Sequence, residues 1–135
     1  RRQGAVMAER LAILVWAADP SVPHLCATPF YFAAAAAAMD AEVEMYFTAR
    51  SVQLLERGVA EGLYADGAPD APGRRSVADF LREAHGFGTR LYACPTAMQA
   101  HGVSADALRE EVQGQAGAAA FIGRTLDEGW RTLSF

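Results

Sequence analysis

Few side chains in this sequence can do nucleophilic or proton-transfer chemistry near neutral pH: the cysteines Cys26 and Cys94 and the histidines His24, His85 and His101. Cys94 has the most telling setting. Arg90-Leu-Tyr-Ala93 reads as a short strand running straight into Cys94-Pro95, and Pro95 suits the first turn of a helix reaching His101 and stopping at Gly102. A cysteine where a strand gives way to a helix feels the positive end of the helix dipole, which favours the thiolate needed by a nucleophile or sulfur acceptor. The same position also suits a small packing residue, because free cysteine is among the most buried residue types.

The other candidates carry less chemistry. Cys26 falls in an apolar helical stretch, where packing is the commoner role. A disulfide to Cys94 would need both residues at one sheet edge. Asp19 and His24 follow the first predicted strand and could wall a crevice shared with Cys94, although Asp19 before Pro20 also suits a plain turn and His24 a plain surface position. His101 lies seven residues beyond Cys94, about two helical turns away and too far for direct contact. His85 sits beside Gly86 at a helix end, where a cation is simply favourable. The histidines and cysteines lack the close paired spacings of a zinc site, so no metal is expected. No Gly-x-Gly-x-x-Gly, P-loop or Gly-x-Ser-x-Gly occurs, lysine is absent altogether, and nothing calls for a cofactor.

The elements that must position these residues alternate between strand and helix. Leu11-Ala-Ile-Leu-Val-Trp16 is a continuous apolar run, the pattern of a strand buried on both faces. Pro23 to Ala41, with six consecutive alanines, reads as a helix in which Thr28-Pro29 is a cap and first-turn pair. Glu42 to Phe47 suits a second strand. Ser51 to Arg57 reads as a short helix closed by Gly58, and Gly62 to Gly73 as a loop long enough to be functional or mobile. Ser76 opens a helix with Asp79 in capping-box position. After the Cys94 helix, Ser104 caps a short turn, Ala116 to Glu128 forms a last helix, and Trp130 to Phe135 a last strand. Such alternation implies one α/β domain with a mostly parallel sheet and helices on both faces.

Composition bounds the function. The chain has 135 residues and a net charge of −4, and its twelve basic residues, all arginine, are scattered, so no nucleic-acid footprint is expected. Two cysteines are too few for a disulfide framework. The longest apolar run, Leu25 to Met39, is shorter than the roughly 20 residues of a membrane span and contains Pro29. No signal peptide is visible, which makes a cytoplasmic, non-membrane protein the expectation. Residues 1–8 read as a flexible tail in which Met7 could be the natural start, and residues 9–135 as a single domain. The helix over Leu25 to Met39 has almost no polar face. A domain this thin does not bury such a helix completely, so a homo-oligomer is expected.

The stretch Gly88-Thr-Arg-Leu-Tyr-Ala-Cys-Pro-Thr-Ala-Met-Gln-Ala-His-Gly-Val103 resembles the cysteine-bearing segment of DsrE/DsrF-like proteins. Leu11 to Val15, Glu42 to Thr48, Val52 to Gly58, Gly117 to Gly123 and Arg131 to Phe135 follow that family's order, so the resemblance spans about Leu11 to Phe135. It implies a single three-layer, flavodoxin- or Rossmann-like domain with a mostly parallel five-stranded sheet, often assembled into oligomers. It also implies that Cys94 accepts and passes a persulfide sulfur between donor and acceptor proteins. Asp19, His24, Pro95, Thr96 and Met98 are then the candidates around it, with Thr96 donating a hydrogen bond to the bound sulfur. The competing reading is a non-catalytic ligand-binding or structural module, its crevice formed by Asp19, His24, Tyr64 and Met98, with Cys94 merely lining it.

Overall fold

The computed structural model describes residues 9–66 and 71–135. The expected tail over residues 1–8 and part of the Gly62–Gly73 loop lie outside the described residues.

Five strands form one sheet: β1 (Arg10–Val15), β2 (Glu42–Phe47), β3 (Arg90–Ala93), β4 (Val112–Gln115) and β5 (Arg131–Ser134). Their order is β4-β3-β2-β1-β5, and every pairing is parallel. The chain therefore walks outward from β1 to β4 and returns to place β5 on the other side of β1. Parallel strands need crossover connections, and helices supply them. They are α1 (Thr28–Ala38), α2 (Val77–Gly86), α3 (Pro95–Ala100) and α4 (Ala118–Thr125).

Because side chains alternate across a strand, each strand serves two layers. Ile13, Val15, Val43, Met45, Phe47, Leu91 and Ala93 enter the main core, which they share with Phe30, Ala33 and Ala37 of α1 and Ala78, Leu81 and Ala84 of α2. Phe30 stacks on Phe47 with ring centroids 5.5 Å apart. On the opposite face Ala12 and Tyr46 meet Phe121 of α4 and Trp130 in a second, smaller cluster. The domain thus has three layers, with α1 and α2 below the sheet and α4 above it.

Local sequence explains the element ends. Ser76 caps α2 through a complete capping box: its hydroxyl accepts from Asp79 N–H at 3.2 Å, and the Asp79 carboxylate accepts from Ser76 N–H at 2.9 Å. Gly88 follows α2 with φ of 101°, a conformation L side chains rarely adopt. The apolar stretch read as one long helix is divided. Pro23–Leu25 form a 3-10 turn, Cys26 and Ala27 follow, and α1 starts at Thr28 with Pro29 in its first turn. Ala49–Leu55 is likewise a 3-10 helix. The last helix is shorter than expected, beginning at Ala118 rather than Ala116. Among the described residues no helix is long and apolar enough to cross a membrane.

Candidate functional site

The carboxyl ends of β1, β2 and β3 and the loop after β4 enclose the site. Cys94 follows β3 directly and serves as the N-cap of α3, its extended backbone donating N–H to Phe47 O at 2.9 Å while its carbonyl accepts from Met98 N–H at 2.9 Å. These bonds fix the residue between the end of β2 and the first turn of α3. Ala93 is in register with Gln115 of β4. In-register parallel strands lie about 4.8 Å apart, so the residues that follow them emerge side by side. Ala116 N–H accordingly bonds Ala93 O at 3.0 Å, and the chain turns at Gly117 into α4 on the opposite face.

Gly117 approaches the thiol closely. A Cβ on this residue would stand 3.0 Å from Cys94 Sγ and 3.5 Å from Pro95 Cδ. Any other residue would crowd the sulfur, so glycine leaves it room. Gly117 is also the N-cap of α4, as Cys94 is of α3, and among the described residues no side chain caps either helix. The first N–H groups of a helix lack intrahelical partners and carry its positive dipole end. The thiol therefore lies where α3 begins and against the start of α4.

A cavity of about 170 Å³ opens beside the sulfur, lined by Leu14, Tyr46, Phe47, Thr48, Gly117, Ala118, Phe121 and Ile122 together with Cys94. Its lining is apolar except for the Thr48 and Tyr46 hydroxyls and the backbone. The Tyr46 hydroxyl is already committed, donating to Glu44 Oε1 at 2.5 Å. Burial first, then that bond, pushes its pKa up to about 12, so Tyr46 offers the cavity an aromatic face and no proton.

Behind Tyr46 lies a buried ionic cluster. Glu44, on the central strand and 2 % exposed, accepts from Arg124 Nε at 2.9 Å and Nη2 at 3.0 Å, and from Arg90 Nη2 at 2.8 Å. Burial alone would raise its pKa. The bonds from Arg124, Arg90 and Tyr46 outweigh that and hold the carboxylate below its usual range. Arg124 also covers the Trp130 ring at 4.1 Å. The cluster ties α4 to the sheet and thereby sets where the start of α4 meets Cys94.

The structure disperses much of the expected crevice. Asp19 lines a separate open cleft with Trp16, Arg50 and His101. Its carboxylate accepts from Ser21 N–H at 2.9 Å and faces Arg50 at 3.8 Å, contacts that hold it below the usual carboxylate range. His24 is exposed on the 3-10 turn and lines neither cavity. Met98 is 5 % exposed and points into the main core, because the inner face of α3 packs on the 3-10 segment Ala49–Leu55. Tyr64 pairs with Ser76 and lies under Arg74, away from Cys94. Pro95 and Thr96 are exposed in the first turn of α3, next to the thiol but outside the cavity lining. Cys26 and Cys94 are both free thiols. Cys26 Sγ is fully buried and donates to Asp19 O at 3.3 Å; burial, aided by the Asp19 charge, raises its pKa to about 12. Among the described residues no three His, Cys, Asp or Glu side chains gather as a metal site would require.

Sequence reasoning misses the other wall of this site, formed by Gly117, Ala118, Phe121 and Ile122. The available signal is Gly117 opening a run of helix formers after a chain segment that leads back to the sheet.

An all-parallel, five-stranded α/β sheet with a thiol beyond its carboxyl edge defines the class. The model of the DsrE/DsrF-like family matches residues 12–135, and the chain belongs to that family. Among solved structures it is similar to the ychN protein from E. coli, with a TM-score of 0.71 and 14 % identity, over 96 % of this chain and 100 % of that one. It is also similar to MTH1491 from Methanobacterium thermoautotrophicum, a protein of unknown function, with a TM-score of 0.61 and 21 % identity, over 93 % and 98 % of the two chains. A search of the curated proteins finds no match.

Proposed function

We propose that this protein is a sulfur carrier in which Cys94 receives a sulfur atom as a persulfide and releases it to an acceptor thiol. Family membership supports a sulfur-relay role in general terms. The observation that supports Cys94 as the carrier is the position of its sulfur: beside a cavity, at the start of α3, and 3.0 Å from where a Cβ on Gly117 would stand.

The Cys94 thiolate attacks the outer sulfur of a donor hydropersulfide. A new S–S bond forms on Cys94, the donor S–S bond breaks, and its electron pair leaves with the donor thiolate. The proton stays with the transferred sulfur or passes to that thiolate. In the return step an acceptor thiolate attacks the outer sulfur and Cys94 departs as thiolate. Free N–H groups at the start of α4 stabilise the anionic terminal sulfur, and a hydroxyl donor role for Thr96, in the first turn of α3, belongs to the same proposal. Donor and acceptor proteins are the partners, neither a metal nor a cofactor takes part, and the setting is cytoplasmic.

Assembly into a homo-oligomer belongs to the same reading. The outer side of α1 presents Tyr31, Phe32 and Met39, which are 60 %, 49 % and 78 % exposed. Phe32 meets Phe135 beside the outer strand β5. A second copy covers this apolar face.

Intact mass spectrometry after incubation with a small hydropersulfide tests the carrier. The wild-type protein gains one sulfur, the Cys94→Ser protein gains none, and reductant reverses the gain. A folded wild-type protein that never gains sulfur contradicts the proposal.

A further inference from the structure

We infer that the cavity beside Cys94 is a subsite for an uncharged apolar group about the size of a benzene ring, carried by the molecule that meets the thiol. The inference rests on the carrier reading for what that group is attached to, and on the cavity alone for the group itself.

Three observations bear on it. The volume is about 170 Å³, open to solvent at the Ile122 rim, and an apolar space of about 150 Å³ is enough to admit benzene. The side chains it offers are Leu14, Phe121 and the Tyr46 ring, with Ala118 and the half-exposed Ile122 on α4 and the hydroxyl of Thr48. Among the described residues no arginine, histidine or carboxylate lines it. The nearby charges are spoken for: Arg90 and Arg124 are both engaged by Glu44. The uncapped N–H groups at the start of α4 lie at the sulfur's end of the cavity; one turn further along, against Phe121 and Ile122, a sulfonate or carboxylate would lose its hydration without a cation to replace it, a cost an apolar group does not incur. Tyr46 cannot relax toward an anion either, because its hydroxyl is held by Glu44.

The geometry therefore selects among sulfur donors. A donor R–S–S–H whose R is aromatic or branched alkyl seats R against Phe121 and Tyr46 while its outer sulfur meets Cys94 Sγ. The S–S bond of the donor breaks, one S–S bond forms on Cys94, and R–S⁻ leaves with its charged sulfur beside the uncapped N–H groups at the start of α4 while R alone occupies the apolar part. Donors that carry a charge close to the sulfur, such as thiosulfate or a carboxylate-bearing thiol, do not seat.

Two measurements on the whole chain decide the matter. In the first, toluene and benzenesulfonate are titrated separately into wild-type and Cys94→Ser protein while backbone amide resonances are followed. Toluene shifts the amides of Gly117, Ala118 and Ile122 saturably in both proteins, and benzenesulfonate at equal concentration leaves them unmoved. In the second, sulfur loading is timed with benzyl hydropersulfide and with the hydropersulfide of 3-mercaptopropionate, each normalised to its rate with free cysteine. The benzyl donor loads at least about tenfold faster, and Ile122→Lys, at the exposed rim, narrows that ratio. Absence of saturable toluene shifts, or equal shifts with benzenesulfonate, overturns the subsite. Equal normalised rates overturn its role in donor choice. Toluene binding without loading by either donor upholds the subsite and removes the carrier reading instead.

Discussion

At the scale of single residues, the two cysteines are both buried in the main core, Cys26 at 0 % and Cys94 at 7 % exposure, and differ in what their sulfurs face. Cys26 is sealed in the core and bonded to a backbone carbonyl, and its pKa of about 12 leaves it almost wholly protonated at neutral pH. Cys94 stands at a cavity wall. The expected outcome is that Cys94→Ser protein, treated with iodoacetamide at neutral pH, takes up no label while folded and one label in denaturant. Labelling of the folded variant would show that Cys26 opens to solvent. Gly117 is the second decisive residue. Gly117→Ala sets a methyl group 3.0 Å from the Cys94 sulfur, and overpacking of this kind costs about 1–3 kcal/mol. Folding midpoints in urea will fall accordingly, and alkylation of Cys94 will slow relative to wild type. The position of Cys94 between β3 and α3 is legible in the sequence, since a strand, a cysteine and a proline sit consecutively. Gly117 is not, because its importance comes from a neighbouring strand in register, which no local pattern encodes.

At the scale of elements, the Glu44 cluster does the positioning. A buried carboxylate on a central strand is tolerated only because two arginines and a tyrosine converge on it. Breaking a fully buried pair costs about 3–5 kcal/mol, but Arg90 and Arg124 are 33 % and 36 % exposed and water can take up their charge, so the loss of Glu44 costs less than that. Glu44→Gln will therefore lower the urea midpoint at neutral pH. Its pH dependence follows from the lowered pKa. The carboxylate's contribution is fully present above the unfolded-state value of about 4.3 and disappears as pH falls through the lower folded-state value. Wild type thus loses stability between about pH 4.3 and the acid limit, while Glu44→Gln shows a flatter slope there, read from urea midpoints at several pH values. The Ser76 cap is a simpler case: Ser76→Ala will cost about 1 kcal/mol, its hydroxyl bond to Asp79 N–H being lost. That cap was readable from Ser76 and Asp79 alone. Strand β4 was not, for Val112-Gln-Gly-Gln115 is short, lies at the sheet edge and carries a single apolar side chain. Met98 shows the opposite failure. Its helix was anticipated, but which side of a six-residue helix faces the core is decided by packing against Ala49–Leu55.

At the scale of the molecule, the sheet's parallel order brings the ends of β1, β2 and β3 and the loop after β4 to one edge, and the site draws on all four. Strand–helix alternation made that architecture readable, while the direction of the return to β5 depends on long-range pairing with β1. The apolar outer side of α1 follows from the alanine-rich, charge-free sequence itself. Under the proposed assembly, sedimentation velocity gives a species larger than the 14.4 kDa chain, and Phe32→Glu with Met39→Glu returns it to the monomer. A wild-type monomer at micromolar concentration contradicts that assembly without touching the site. The central claim, that Cys94 both takes and gives sulfur, is tested most directly by a load-and-chase measurement. Protein loaded from an isotopically labelled hydropersulfide is freed of donor, mixed with excess acceptor thiol, and followed by intact mass. The account predicts one labelled sulfur on wild type, none on Cys94→Ser, and its stoichiometric transfer to the acceptor with Cys94 restored to the free thiol. Equal labelling of both proteins, or a label on Cys94 that no thiol removes, would contradict it.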